Sequence, residues 1–294
     1  MRFGSDTVGL LIAVLALLVG ALTSGVFDAA EPEQRQASQR RPAPIERPAP
    51  GPSVSPPSGR EPGGDPLPAP SGRDPVVQVE LGPKQSSSGT AFPVATGVWM
   101  TARHVADGCD RVGIVTGPGT ATRGGEVMVH ANADLALFRA PVRTPPVAIG
   151  GDDLRIGQAG YHFGYPRGEP GAVRSQLLGR GSMRVSGRYS TREPVLAWAE
   201  VERVPDREEP LSGISGGPVF DADGRLVGVH VAGSVRRGRS FTAAPESIRE
   251  LLARAGVQAS RTSPVPPLDA RGFAKTGERL RGELVVAKAV CIIR

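Results

Sequence analysis

Residues 211–220 read Leu-Ser-Gly-Ile-Ser-Gly-Gly-Pro-Val-Phe. A serine between glycines, just ahead of a short apolar run, is a common way to present a nucleophilic hydroxyl on a tight turn. Gly213 lets the backbone turn so that its own N–H and that of Ser215 can point toward one oxygen atom. Ordinary glycine-serine loops show the same pattern, so a catalytic reading requires a base and an acid elsewhere in the chain.

Two earlier segments contain those groups. Residues 97–106 (Gly-Val-Trp-Met-Thr-Ala-Arg-His-Val-Ala) carry a strand-like run that leads to His104, and residues 132–138 (Asn-Ala-Asp-Leu-Ala-Leu-Phe) place Asp134 at the head of an apolar run. An imidazole can take the proton of the Ser215 hydroxyl during attack and later pass it to a leaving amine. A carboxylate beside it holds the productive tautomer and stabilises the imidazolium. Taken singly, each residue is also compatible with a purely structural role.

The chain order of His104, Asp134 and Ser215 resembles that of the chymotrypsin-like serine proteases and differs from the orders in subtilisins and α/β-hydrolases. Three short segments resemble motifs of that family, including its bacterial Deg-type members: residues 88–92 (Ser-Gly-Thr-Ala-Phe), 101–105 (Thr-Ala-Arg-His-Val) and 134–137 (Asp-Leu-Ala-Leu). Arg103 stands where the family motif has alanine. The resemblance covers roughly residues 76–255.

This resemblance implies a serine endopeptidase that cleaves protein or peptide substrates through a covalent acyl-enzyme, without a cofactor. It assigns catalysis to His104, Asp134 and Ser215, and the oxyanion hole to the N–H groups of Gly213 and Ser215. The implied fold is all-β, with two six-stranded antiparallel β-barrels, an active site between them and a C-terminal helix. The alternative is a catalytically silent module of the same fold that binds or senses peptides.

The resemblance also suggests a specificity pocket. Residues 226–233 (Leu-Val-Gly-Val-His-Val-Ala-Gly) resemble the strand that walls this pocket, where glutamyl endopeptidases and picornavirus proteases use a histidine to bind Glu or Gln at P1. His230 occupies that position. Glu209 offers an alternative, because an acid in the pocket would select Arg or Lys, and His230 could also be a packed strand residue. Further candidate substrate-binding residues are Ser212, Val231 and Gly233.

The composition agrees with an all-β domain, since glycine is abundant, aromatic residues make up 4%, and short apolar runs recur between turn residues. Residues 219–229 predict a β-hairpin with Asp-Gly at its turn. Residues 245–255 predict an amphipathic helix that begins near a proline and ends before a glycine. We therefore assign residues 76–256 to the protease domain. Residues 257–294 form a C-terminal extension that ends in a strand-like segment, and we expect no PDZ domain of the Deg type.

The N-terminal region predicts export. Val8 to Phe27 is uncharged and long enough to span a bilayer as a helix, so residues 1–30 are read as a transmembrane anchor, with a cleaved signal peptide as the alternative. Residues 31–75 are rich in proline and poor in apolar residues, which predicts a disordered linker. We expect a single-pass protein of a bacterial inner membrane, with the catalytic domain in the periplasm or outside the cell. The strong preference for arginine over lysine is common in GC-rich bacterial genomes.

Charge and cysteine content exclude other classes. The net charge is +6, but no basic helix interleaved with aromatic residues indicates nucleic-acid binding. The four histidines are scattered and no Cys-x-x-Cys occurs, so we expect no metal site. Two cysteines in an exported protein predict a disulfide between Cys109 and Cys291. No feature of the sequence indicates an oligomeric state.

Overall fold

The computed structural model describes residues 64–207, 209–234 and 237–294, and these form fourteen β-strands with a few short helices. The mostly β architecture agrees with the expected fold class. The predicted span Val8 to Phe27 and most of the predicted linker lie outside the described residues. Within the described part of the chain, no helix has the length and apolar character needed to cross a membrane.

The first sheet contains seven strands in the order β5-β4-β14-β2-β3-β7-β6. They are β2 (Ser87–Ala95), β3 (Val98–Thr101), β4 (Arg111–Gly117), β5 (Thr120–Arg123), β6 (Val127–Val129), β7 (Ala136–Arg139) and β14 (Ala287–Ile292). The short helix α1 (Arg103–Ala106) follows β3. Phe92, Trp99 and Phe138 are buried in its core. The expectation of six strands is wrong here, because the C-terminal segment adds a strand.

That added strand, β14, confirms the strand-like reading of the tail. It lies between β2 and β4 and is antiparallel to both, with Ala287 opposite Ala91 and Ala289 opposite Ile114. Its buried residues alternate with more exposed ones, as expected for a strand that packs one face on a core. The chain returns to the first sheet through α3 (Phe273–Gly282), which the sequence analysis did not predict.

The second sheet closes on itself. Six strands form the ring, because β8 pairs with both β11 and β9: β8 (Ala159–Gly164), β9 (Gly171–Gly187), β10 (Thr191–Val204), β11 (Pro218–Phe220), β12 (Leu226–Ser234) and β13 (Arg239–Ala243). The predicted hairpin is confirmed as β11–β12. The predicted helix is confirmed as α2 (Pro245–Arg254), which buries Ile248, Leu251 and Leu252.

The hairpin of β9 and β10 is much longer than the other strands of this barrel. Near its tip, β1 (Val76–Leu81) pairs in parallel with Ser182 to Gly187 of β9, so this sheet also has a seventh strand. Residues 64–75, assigned to the linker, contact the second sheet, since the N–H of Ser182 on β9 donates to the carbonyl oxygen of Pro75 at 2.9 Å. Residues 64–81 and the tip of the β9–β10 hairpin thus form one extension of the barrel.

The predicted disulfide is confirmed, because Cys109 and Cys291 are bonded and are 182 positions apart in the sequence. The bond joins the loop after α1 to β14. It therefore fixes the C-terminal strand within the first sheet, close to the segment that carries His104.

Replacing Cys109 and Cys291 together by alanine should lower the free energy of unfolding. Loop-entropy models set an upper bound of about 5 kcal/mol for a loop of this length. Urea denaturation would measure the change, and the reduced wild-type protein should match the double variant. Equal stability of the oxidised wild type and the variant would contradict the role given to this bond.

Candidate active site

His104 and Asp134 form a direct pair in the first sheet. The His104 Nδ1 lies 2.6 Å from Asp134 Oδ2, and the His104 backbone N–H donates to Asp134 Oδ1 at 2.8 Å. Antiparallel pairing of β3 with β7 places Thr101 opposite Ala136, which brings the two loops that carry His104 and Asp134 together. A carboxylate can only accept, so Nδ1 carries the proton and Nε2 is left as the basic nitrogen.

The segment before Ser215 forms a tight turn. The Ile214 N–H donates to the carbonyl oxygen of Leu211 at 2.9 Å, and Gly213 has a φ of 98°. A type II turn needs a positive φ at this position, which favours glycine. Any Cβ at Gly213 would lie 2.6 Å from the carbonyl oxygen of Tyr165, so a side chain is also excluded by space.

Thr90 on β2 holds this turn against the first sheet. Its N–H donates to the carbonyl oxygen of Ser215 at 2.8 Å, and its hydroxyl donates to the carbonyl oxygen of Gly213 at 2.9 Å. The same hydroxyl accepts from the Tyr165 N–H, and the Thr90 carbonyl accepts from the Thr101 hydroxyl. The 88–92 motif contained Thr90, but sequence reasoning did not assign it this role.

The peptide between Ser212 and Gly213 has a defined orientation. The Ser212 carbonyl oxygen accepts from the Arg167 N–H at 2.5 Å. The C=O and N–H of a trans peptide point in opposite directions, so the Gly213 N–H points away from Arg167. Among the residues that the structure describes, neither the Gly213 N–H nor the Ser215 N–H donates a hydrogen bond to the protein. Both N–H groups are therefore available as donors to a bound ligand.

His230 lies on β12 beside the turn and is 2% exposed. Its carbonyl accepts from the Gly216 N–H, and its N–H donates to the Gly217 carbonyl, so β12 and the Ser215 segment are joined. Burial first, and then the charges of His104 and Arg203, lower the pKa of His230 to about 3, which keeps the ring neutral. Its Nδ1 has no hydrogen-bond partner among the described residues.

The other predicted pocket residues lie around this strand. Val231 is buried and Gly233 is exposed, and no strand pairs with them on the side opposite β13 in the described part of the chain. Ser212 is exposed on the turn. Glu209 is about half exposed and bonds Arg167 at 2.5 Å, and this hydrogen bond lowers the pKa of Glu209. The Glu209 carboxylate is thus already paired with a cation.

Comparison with known proteins now identifies the family. Residues 89–229 match the model of the trypsin-like peptidase domain. These residues form a trypsin-like serine peptidase domain.

Solved structures similar to the peptidase include the inactive form of the Rv3671c protease, with 22% identity and a TM-score of 0.47, over 57% of this chain and 84% of that chain. The active form of the Rv3671c protease from M. tuberculosis has 22% identity and a TM-score of 0.47, over 59% of this chain and 76% of that chain. The HtrA-type protease AlgW with a decapeptide has 21% identity and a TM-score of 0.46, over 57% of this chain and 51% of that chain. Comparison with the curated proteins gives no match.

A second buried histidine, His162, packs against His230 of β12. His162 Nε2 lies 2.7 Å from the Ser175 Oγ, whose hydroxyl donates to the Gly160 carbonyl, so the imidazole must donate. Burial and the neighbouring His230 lower the pKa of His162 well below its usual value. The rings of His162 and His230 meet edge to face, 5.7 Å apart. The sequence analysis noted His162 only as one of four scattered histidines.

Two polar residues of the β9–β10 hairpin contact Asp134, and neither was predicted. The Tyr189 hydroxyl donates to Asp134 Oδ1 at 2.8 Å, and Glu193 Oε1 accepts from the Asp134 N–H at 2.8 Å. Burial first, and then the charge of Asp134, raise the pKa of Glu193 well above its usual value, which favours the neutral form of its carboxyl group. No sequence motif marks these residues, because their contact depends on how far the hairpin reaches.

Glu193→Gln should make the free energy of unfolding less dependent on pH. The folded peptidase keeps the Glu193 proton above pH 4.5, whereas the unfolded chain releases it there. Folding therefore takes up a proton, and the wild type loses up to about 1.4 kcal/mol per pH unit from this group as the pH rises above that value. Glutamine has no proton to exchange.

Urea denaturation between pH 4 and 8 would measure this difference. The stability of Glu193→Gln relative to the wild type should rise with pH, whatever its value at pH 4. Glu202→Gln, at a partly exposed glutamate paired with Arg174, is the matched control for the loss of one carboxyl group. A pH-independent difference for Glu193→Gln would contradict a neutral buried acid.

Proposed function

We propose that this peptidase hydrolyses peptide bonds with Ser215 as nucleophile, His104 as base and Asp134 as the acid that orients it. The observation that carries the proposal is the buried carboxylate of Asp134, which accepts from both the Nδ1–H and the backbone N–H of His104. This arrangement leaves His104 Nε2 available as a base, and the glycine-built turn that carries Ser215 has two available N–H donors.

The steps follow from these groups. Ser215 Oγ attacks the carbonyl carbon as His104 Nε2 takes its proton, and the oxyanion accepts from the N–H groups of Gly213 and Ser215. Collapse breaks the C–N bond, and His104 returns the proton to the leaving amine. Water then attacks the acyl-enzyme with His104 as base, and Ser215 leaves with the proton.

The open edge of β12 supports binding of an extended substrate. In the described part of the chain, no strand pairs with residues 231–233 on one side, and an added peptide strand could pair there through main-chain hydrogen bonds. Such pairing would align the scissile bond with Ser215 without regard to sequence, so selectivity would come from a side-chain pocket.

His230 supports Glu or Gln as the P1 residue. A buried imidazole nitrogen without a partner is costly, and a P1 carboxyl or amide group would supply one. The neutral ring can donate to either. Glu209 supports basic P1 residues less well, because Arg167 already pairs with its carboxylate.

A location outside the cytoplasm forms part of the same proposal. The uncharged N-terminal segment is the sequence basis, and the Cys109–Cys291 bond supports it because structural disulfides persist in oxidising compartments. Under this proposal the N-terminal segment anchors the chain to the membrane.

The catalytic assignment predicts covalent labelling by a fluorophosphonate probe, with loss of labelling in Ser215→Ala. Ser260→Ala, at a partly exposed serine distant in sequence, should label as the wild type does. Ser215→Ala and His104→Ala should each lower kcat by about 10⁶, and the double variant by little more, because the two groups act as a unit. No labelling of the wild type would indicate a silent peptide-binding module, and labelling that survives Ser215→Ala would indicate another nucleophile. Full additivity of the two losses in kcat would contradict the coupled action of Ser215 and His104.

The pocket assignment predicts cleavage after Glu or Gln in a peptide library varied at P1. His230→Ala should reduce this preference by about tenfold or more, since a pocket built to hydrogen-bond a polar group discriminates strongly. Glu209→Ala should retain it. Cleavage after Arg that survives His230→Ala but disappears in Glu209→Ala would reverse the assignment.

A further inference from the structure

The β9–β10 hairpin of the second sheet extends to a catalytic pair that belongs to the first sheet. Close to its tip, Thr191 pairs with Val185, and Arg188 and Tyr189 lie in the turn between the strands. From this turn the Tyr189 hydroxyl reaches Asp134 Oδ1 at 2.8 Å. Strands β9 and β10 are longer than closure of the barrel requires. Their extra length brings the hairpin turn to Asp134.

The hydroxyl of Tyr189 is the third donor to the Asp134 carboxylate. The other two are the backbone N–H and the Nδ1–H of His104. Burial first, and then the charge of Asp134, raise the pKa of Tyr189, which keeps the phenol protonated and able to donate. Among the described residues, Oδ1 therefore accepts from the Tyr189 hydroxyl and the His104 backbone N–H, and Oδ2 accepts from the imidazole alone.

The ring of Tyr189 is itself held in place. The Arg103 guanidinium carbon lies 4.0 Å from the ring centroid, in cation–π geometry, and the Arg103 Nε bonds Asp107 at 2.8 Å. Arg103 is the residue that departs from the alanine of the family motif. Arg103 therefore has a structural role in this chain, because it covers the ring of Tyr189, which in turn contacts Asp134.

Further contacts from the same hairpin surround the pair. Glu193 Oε1 accepts from the Asp134 N–H, and an Arg188 guanidinium N–H donates to the His104 carbonyl at 3.2 Å. The hairpin therefore contacts Asp134 at its side chain and its backbone, and α1 at the carbonyl of His104. Displacement of the hairpin would loosen all of these contacts together.

We propose that Tyr189 is a positioning residue for catalysis: its hydroxyl, delivered by the β9–β10 hairpin and held by Arg103, fixes the Asp134 carboxylate that orients His104. This inference rests on the proposed function, because it assigns a role within that catalytic site. A donor to Oδ1 also draws charge away from Oδ2, so Tyr189 sets how strongly the carboxylate attracts the imidazolium.

The charged and titratable groups that face this pair come from several elements. Lys84, before β2, donates to the carbonyls of His104 and Val105, Arg188 donates to the first of these, and Arg103 covers Tyr189. Glu193 contacts Asp134 from β10, and His230 faces His104 from β12. Tyr189→Phe leaves each of these groups in place and removes one hydroxyl, so its effect on the pH profile reports on that hydroxyl.

Kinetics of the full chain test the proposal. In Tyr189→Phe we expect kcat to fall about tenfold, as for loss of one hydrogen bond to a charged group, with KM within about twofold. The acidic limb of the kcat/KM profile should move to higher pH, because the carboxylate attracts the imidazolium more strongly. Arg103→Ala should give a smaller change in the same direction. Tyr161→Phe, which removes a buried hydroxyl beside Phe273, is the matched control and should leave the limb in place.

A second measurement does not require turnover. In the Ser215→Ala background, NMR would follow the Nδ1 proton and the titration curve of His104 with and without Tyr189→Phe. A shift of both confirms the hydrogen bond, even if the wild type proves inactive and the proposed function fails. Unchanged kcat, an unchanged limb and unchanged His104 signals in a folded Tyr189→Phe protein would overturn the proposal.

Discussion

The arrangement of the site depends on one buried charge, the carboxylate of Asp134, which is 2% exposed. A carboxylate removed from water is strongly unfavourable unless donors replace the lost solvent. Here the donors come from both halves of the domain: His104 from the first sheet and Tyr189 from the hairpin of the second. Satisfying this single group therefore aligns α1, the loop before β7 and the hairpin tip.

A second set of contacts holds the turn that carries Ser215 against the first sheet. Thr90 belongs to the first sheet, yet it bonds the carbonyl oxygens of Gly213 and Ser215, which lie between β10 and β11 of the second sheet. These bonds hold the turn against β2, and the N–H groups of Gly213 and Ser215, which belong to other peptide units, donate to no group of the described residues. The two sheets are thus joined by hydrogen bonds on either side of the site, through Asp134 and through Thr90.

The sequence predicted the parts of the structure that depend on local patterns of residues. The β11–β12 hairpin, the helix Pro245–Arg254 and the strand nature of the tail follow from turn residues and periodicity over a few positions. The Cys109–Cys291 bond followed from the count of cysteines and the expected compartment. The position of β14 between β2 and β4 did not follow from the sequence, because the order of strands depends on contacts between residues far apart in the chain.

The same distinction applies to the site. His104, Asp134 and Ser215 stood out because each lies in a short recognisable motif. Tyr189, Glu193 and His162 did not, since their roles arise from the reach of a hairpin and the packing of a barrel interior. From the sequence alone, Glu193 in particular would be expected on the exposed face of a strand. In the structure it is buried against Asp134.

The most direct test is a crystal structure of the peptidase after reaction with a fluorophosphonate. The account predicts one adduct, on Ser215 Oγ, with its phosphoryl oxygen about 2.7–3.1 Å from the backbone nitrogens of both Gly213 and Ser215. The Ser212 carbonyl should still accept from Arg167, and Tyr189 should still donate to Asp134. An adduct on another residue, or a Gly213 N–H directed away from the phosphoryl oxygen, would contradict the site described here.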